Sequence, residues 1–267
     1  MARMVTGLLL AGGWLLLLLY GPFSLFGLAV CGAGTIGLYE YFRMILIDEE
    51  KRFLGLGIFL GLIPLLAALG GRIEFVAAAL LLSMLFLALS VLKIFSSLRN
   101  GFEFICRLAF GVVYIGFCLA HMILIRGQPQ GVSWLLVLTA CIAVSDTGAY
   151  YIGSWLGKRK FIPAVSPGKT WAGVAGGLAA GGLAAVLTAA FLFQTIDMPR
   201  LLLSGVCLVC IGMVGDLIES MIKRAVGVKD SGNWLAGHGG LLDRGDSLLF
   251  AAPALFYLLY FGVLPGT

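Results

Sequence analysis

Charge is what this chain has least of. Asp, Glu, Lys and Arg make up 12% of its 267 residues, where a soluble globular domain has about a quarter. Long polar linkers and low-complexity tails are also lacking, so no stretch reads as a separate soluble domain. Strict apolar–polar alternation is missing as well. That excludes a membrane β-barrel, whose strands alternate lipid-facing and lumen-facing residues. The six cysteines, at 31, 106, 118, 141, 207 and 210, lie in apolar runs. Cys207 and Cys210 have C-x-x-C spacing but no other ligands nearby, so they read as buried, inert thiols rather than a redox or zinc pair.

What is abundant is continuous apolar sequence. The hydrophobic fraction is 61% and mean hydropathy is +1.06. Backbone exposed to lipid must bond within its own segment, so long apolar runs imply helices. The expected fold class is all-α, a polytopic integral membrane protein of about nine transmembrane helices. The segments fall near 5–20, 23–47, 53–70, 74–92, 104–125, 132–154, 172–195, 201–222 and 247–264. The first is short and ends at Gly21-Pro22, which suggests a tilted or re-entrant element. It reads as a retained first helix rather than a signal peptide.

The net charge is +5, and its placement fixes orientation. With nine spans and the N-terminus inside, 15 of the 18 Lys and Arg residues face the cytoplasm, leaving Arg72, Arg126 and Arg200 outside. This is the asymmetry of the positive-inside rule. Carboxylates before residue 140 are scattered or sit in the Asp48–Arg52 cluster, which reads as a solvated loop. Residues 1–140 are therefore expected to be a transmembrane scaffold. Residues 141–267 are expected to be the working region, with polar loops at the cytoplasmic face.

The exception to the apolar background is Gly215–Ser247, where five carboxylates, four basic side chains and a histidine gather. Charges are costly in hydrocarbon and mark functional sites by default. Asp216, Glu219, Ser220 and Lys223 fall at i, i+3, i+4 and i+7, one face of a helix. Asp243 and Asp246 repeat the i, i+3 spacing at the start of the last span. Hard oxygen ligands of this kind suit magnesium, which is usually held by one or two carboxylates plus phosphates. An interhelical salt-bridge network with Lys223, Arg224 and Arg244 answers to the same spacing.

Between these helix ends lie Lys229, Asp230, Gly232, Gly237, His238, Gly239 and Gly240. Glycines let backbone N–H groups approach an anion, and Lys229 and Arg244 can neutralise phosphate. His238 suits a phosphate contact, a proton role or a loop-capping hydrogen bond. A second polar stretch holds Asp146, Lys158–Lys160, Ser166, Lys169 and Thr170. Asp146 is an intramembrane acid. Ser166 and Thr170 can bind phosphate or cap a helix beginning near 170, whose positive end would face the same side. Lys158–Lys160 suit anionic headgroups.

Two glycine patterns lead elsewhere. Gly32–Gly37 matches G-x-G-x-x-G but follows no strand, so a dinucleotide fold is not implied. Gly173, Gly177 and Gly181 form a small-residue ridge for close helix packing, within the chain or between subunits of a homodimer. His121 reads as a packing residue. An ion-coupled transporter would also carry intramembrane acids, but no inverted repeat is apparent and the polar residues crowd one face.

Residues 220–246, S-M-I-K-R-A-V-G-V-K-D-S-G-N-W-L-A-G-H-G-G-L-L-D-R-G-D, resemble the signature of the phosphatidate cytidylyltransferase (CDP-diacylglycerol synthase) family. S-D-T-G-A-Y-Y-I-G at 145–153 and S-P-G-K-T at 166–170 are similar to that family too. Ala236 stands where the family has proline or glycine, and Gly245 where it has an apolar residue. The resemblance implies CTP and phosphatidate as substrates and membrane lipids as surroundings, with no nucleic acid. It implies a bacterial inner-membrane location with the site facing the cytoplasm. It also implies Mg2+ held by Asp216, Asp243 and Asp246, and catalytic roles for those aspartates with Lys223 and Asp146. Asp146 is expected to serve a second, monovalent cation or to orient a lysine. Substrate contacts are expected from Ser166, Lys169, Thr170, Ser220, Arg224, Lys229, Asp230, His238, Gly239, Gly240 and Arg244.

Overall fold

The computed structural model describes residues 2–195, 197–232 and 239–264, with side chains from Thr6 onward. Each of the nine apolar segments is helical over most of its length. The helices are α1 (Ala2–Tyr20), α2 (Phe23–Ile45), α3 (Leu54–Ala68), α4 (Ile73–Ile94), α5 (Gly101–Gly111), α6 (Cys118–Arg126), α7 (Gly131–Leu156), α8 (Trp171–Leu192), α9 (Met198–Ala225) and α10 (Leu242–Tyr260). A π-helical stretch, Val112–Phe117, joins α5 to α6 as one span.

Among the described residues, seven helical bodies are long and apolar enough to cross a membrane, fewer than the nine expected. They are Phe23–Ile45, Asp48–Ala68, Ile73–Ser97, Gly101–Arg126, Gly131–Leu156, Trp171–Leu192 and Met198–Ala225. The apolar stretch Thr6–Tyr20 is shorter than these. α10 stands apart because its first turns carry Asp243, Arg244 and Asp246. The protein is an all-α polytopic membrane protein. Its exposed side chains agree: Leu81, Leu92 and Phe191 are 71%, 72% and 89% exposed, as lipid-facing residues should be.

Packing divides the chain into two compact units. The first comprises residues 1–127 and 226–245. Its core holds Leu38, Phe42, Leu60, Phe104, Leu108 and Ile115, all fully buried. α3 and the π-helical stretch meet backbone to backbone, with Gly116 against the carbonyl of Gly61, where no Cβ would fit. Arg107 on α5 donates to both oxygens of buried Glu50, at 2.8 and 2.7 Å, and to Glu103 at 2.9 Å. Glu50 thus anchors the 3-10 turn Asp48–Phe53, expected to be only a solvated loop.

The second unit comprises residues 128–225 and 246–267. α7 and α8 pack along most of their lengths, and the small-residue ridge is what brings them together. A Cβ added at Gly173 would stand 2.8 Å from the Ala149 carbonyl, and one at Gly181 2.8 Å from the Cys141 carbonyl. The ridge is therefore used within the chain and offers no face to a second subunit. A short antiparallel hairpin, β1 (Lys160–Ile162) and β2 (Ser166–Thr170), lies within the second polar stretch. Phe161 and Trp171 meet edge to face at 4.7 Å beside it. Cys207 and Cys210 lie exposed on α9, as does Cys106 on α5, correcting the reading of these thiols as buried.

Candidate active site

α8 starts where the sequence implies. Thr170, the last residue of β2, is its N-cap, and its Oγ1 accepts from the Gly173 N–H at 3.1 Å. This satisfies one of the unpaired amides of a helix start. The hairpin and cap also place Lys169, one residue earlier, over α9. Lys169 Nζ lies 2.7 Å from Asp216 Oδ2.

Around that pair the second unit forms a cavity of about 580 Å³. Asp146 and Tyr150 of α7, Lys160 and Ser166 of the hairpin, Lys169, Thr170 and Asp216 all line it. The Ser220 hydroxyl donates to Asp216 Oδ1 at 3.4 Å, a long contact. Gly215 lets α10 close on α9: a Cβ there would stand 2.5 Å from the Asp246 carbonyl. Half-buried Asp246 thereby comes beside Asp216. Burial, then the Asp216 carboxylate, pushes the Asp246 carboxyl from 3.8 up to about 7, with Asp146 adding to the rise and Lys223 opposing it. Lys223 itself is paired with buried Glu219 one turn back, at 2.5 Å.

The structure therefore gathers Asp146, Asp216 and Asp246 into one electrostatic neighbourhood, with Lys169 paired to Asp216. Like charges so placed raise each other's proton affinity. Among the described residues no group of three or more His, Cys, Asp or Glu side chains is arranged to hold a metal ion.

The remaining site residues, Arg224 apart, belong to the first unit. Asp243 caps the segment before α10: the Gly240 N–H donates to its Oδ2 at 2.8 Å, and the Ser231 N–H reaches Oδ2 at 3.1 Å and Oδ1 at 3.2 Å. Gly239 has φ +80°, a conformation that favours glycine, and a Cβ there would meet Asp243 Oδ2 at 2.6 Å. Lys229, Asp230 and Arg244 are exposed, as is Arg224 at the end of α9 in the second unit. A cavity of about 620 Å³ opens between Tyr39, Glu40 and Arg43 of α2 and the Val228–Gly232 segment. His238 and Ala236 lie outside the described residues. Gly245 has open space around its α-carbon, so packing does not require glycine there.

One group was missed. Glu40 of α2 is 2% exposed, and its oxygens accept from the Leu241 and Leu242 N–H groups at 3.0 and 2.8 Å and from the Ser231 hydroxyl at 3.3 Å. The available signal was an acid inside an apolar span, the same signal that marked Asp146.

The second unit thus surrounds one cavity with acids and lysines, and the first unit sets Gly232 and Gly240 against the Glu40 carboxylate and Gly239 against that of Asp243. Over residues 1–262 the sequence matches the family model described as the cytidylyltransferase family. The chain belongs to that family. A phosphatidate cytidylyltransferase of Bacillus subtilis (strain 168) is 37% identical over 267 residues, covering 96% of each chain. Those of Staphylococcus saprophyticus and Staphylococcus aureus (strain COL) are 39% and 40% identical over 165 and 167 residues, covering 60% of this chain and 62% of theirs. This cytidylyltransferase-family chain therefore aligns with a curated relative across almost its whole length, including the half in which no motif was recognised.

Proposed function

We propose that this protein transfers the cytidylyl group of CTP to phosphatidate, forming CDP-diacylglycerol and pyrophosphate in phospholipid synthesis. The observation that carries the reading is the cavity lined by Asp146, Asp216 and Lys169, with Asp246 in electrostatic contact with both acids, in a chain of this family. A phosphate oxygen of phosphatidate attacks the α-phosphorus of CTP in line. The new P–O bond forms as the bond to the β-phosphate breaks, and the electron pair leaves on pyrophosphate. Such transfer rests on positioning and charge neutralisation, so no protein nucleophile is required.

Magnesium, when bound, neutralises and orients the phosphate oxygens. Asp216 and Asp246 are its proposed ligands in the second unit, and the family resemblance adds Asp243. Asp146 lines the same cavity and is suited to a second, monovalent cation. Lys169 leaves Asp216 to bind a phosphate oxygen, while Lys223, Arg224, Lys229 and Arg244 offer further cations. Ser166, Thr170, Ser220, Asp230, His238, Gly239 and Gly240 supply the remaining proposed substrate contacts. Thr170 does so beside its capping bond. The proposed location is the bacterial inner membrane, with the site on the cytoplasmic side, by the loop-charge asymmetry. The homodimer expected with the family would have to use surfaces other than the buried glycine ridge.

The test is to follow CDP-diacylglycerol and pyrophosphate from CTP and phosphatidate in detergent, with and without magnesium. Other triphosphates, dCTP among them, run in parallel. Magnesium-dependent product from CTP is expected, and Asp216→Asn should abolish it. Absence of product with folded protein would end the reading, and an Asp216→Asn variant of full activity would remove the metal assignment.

A further inference from the structure

The buried carboxylate of Glu40 has a use that its place in the chain does not suggest. A charged group in a membrane-spanning helix is costly unless its acceptors are filled. Here they are filled by a segment about 200 residues away. Leu242 is the first residue of α10, and Leu241 precedes it. Their N–H groups belong to the set that a helix start leaves without intrahelical partners. Glu40 Oε1 takes the Leu241 N–H at 3.0 Å and Oε2 takes the Leu242 N–H at 2.8 Å. The Ser231 hydroxyl donates to Oε2 at 3.3 Å. A carboxylate at the positive end of a helix is also favoured by its dipole.

The fit to Glu40 extends to the glycines. A Cβ at Gly232 would stand 2.6 Å from Oε1, and one at Gly240 2.6 Å from Oε2. Gly232 and Gly240, near the two ends of the 231–242 segment, are thus fitted to one carboxylate of α2. Asp243 ties the same ends together from the other side, through the Ser231 and Gly240 amides. We propose that Glu40 is a positioning residue for cytidylyl transfer: it holds both ends of the 231–242 segment and so sets the first turn of α10, which carries Asp243 and Arg244. This rests on the proposed function for the word transfer, but the clamp itself does not. A glutamine cannot replace it, because one of the two backbone N–H donors would then face an NH2 group.

The experiment compares Glu40→Gln, Glu40→Asp and Glu40→Ala with Glu50→Gln, which removes a different buried carboxylate of the same unit. Amide exchange at Leu241 and Leu242 and steady-state kinetics are measured in detergent, with activity scaled to folded protein. Faster exchange at those two amides is expected in all three Glu40 variants. In Glu40→Gln, kcat should fall on the order of 10–100-fold while KM for both substrates stays within about threefold, as a misplaced catalytic segment predicts. Glu40→Asp should recover part of kcat. Glu50→Gln should melt earlier, with kcat and both amides unchanged. Wild-type kcat in Glu40→Gln, or unchanged exchange at Leu241 and Leu242, would overturn the proposal. So would Glu40→Gln and Glu50→Gln behaving alike. Should the wild type form no CDP-diacylglycerol, the transfer reading fails, and amide exchange still decides whether Glu40 is the clamp.

Discussion

Lys169→Met separates two roles that one lysine is proposed to fill. In the structure Lys169 Nζ holds Asp216 Oδ2 at 2.7 Å, with the two side chains 25% and 31% exposed. Fully exposed pairs contribute about 0.2–1 kcal/mol, and breaking a fully buried one costs about 3–5 kcal/mol. At this partial exposure, discounted for solvent screening, the pair is worth about 1–1.5 kcal/mol. A magnesium ion proposed to use Asp216 must displace the ammonium and overcome that amount. Removing the lysine should therefore lower the magnesium concentration for half-saturation about five- to tenfold, since about 1.4 kcal/mol is a factor of ten. Turnover should move the opposite way. Losing a cation aimed at developing charge costs on the order of 10²–10³-fold. Pyrophosphate release against magnesium, at saturating CTP and phosphatidate, reads both quantities. The magnesium-induced rise in melting temperature without substrate reads the first alone. A Lys169→Met variant that needs as much magnesium as the wild type, or more, would refute the competition for Asp216.

Asp246 makes a pH-dependent counterpart. Its carboxyl is raised from 3.8 to about 7, so it passes from mostly ionised to mostly protonated as pH falls from 8 to 6. A cation takes the ionised form, so half-saturating magnesium should climb through that window, and Asp246→Asn should flatten the climb. Thr170→Ala removes the cap of α8 and should cost about 1 kcal/mol, or roughly 2–4 °C in melting temperature. Thr170→Ser should restore it, while an unchanged melting point in Thr170→Ala would show the cap to be idle. Arg107→Met leaves the Glu50 carboxylate, 3% exposed, without its main partner. A loss of about 3 kcal/mol is expected from that change, with kcat per folded molecule intact; an equal loss of kcat would contradict a purely structural pair.

The sequence alone determined the fold class, because a chain with so few charges can satisfy its backbone in lipid only as helices. It also determined the start of α8 at Thr170, since capping is a local interaction between residues three apart. The glycine ridge was legible as a packing surface, but its partner was not. That α7 fills it follows from backbone approach at Gly173 and Gly181, which no periodicity encodes. The acid cluster was half legible. Asp216 and Asp146 stood out as charges in apolar surroundings, yet only the contact of Gly215 with the Asp246 backbone brought Asp246 to them. Glu40 lay furthest from reach. Its function depends on donors some 200 residues away, and a bond between such distant groups exists only once the helices have packed.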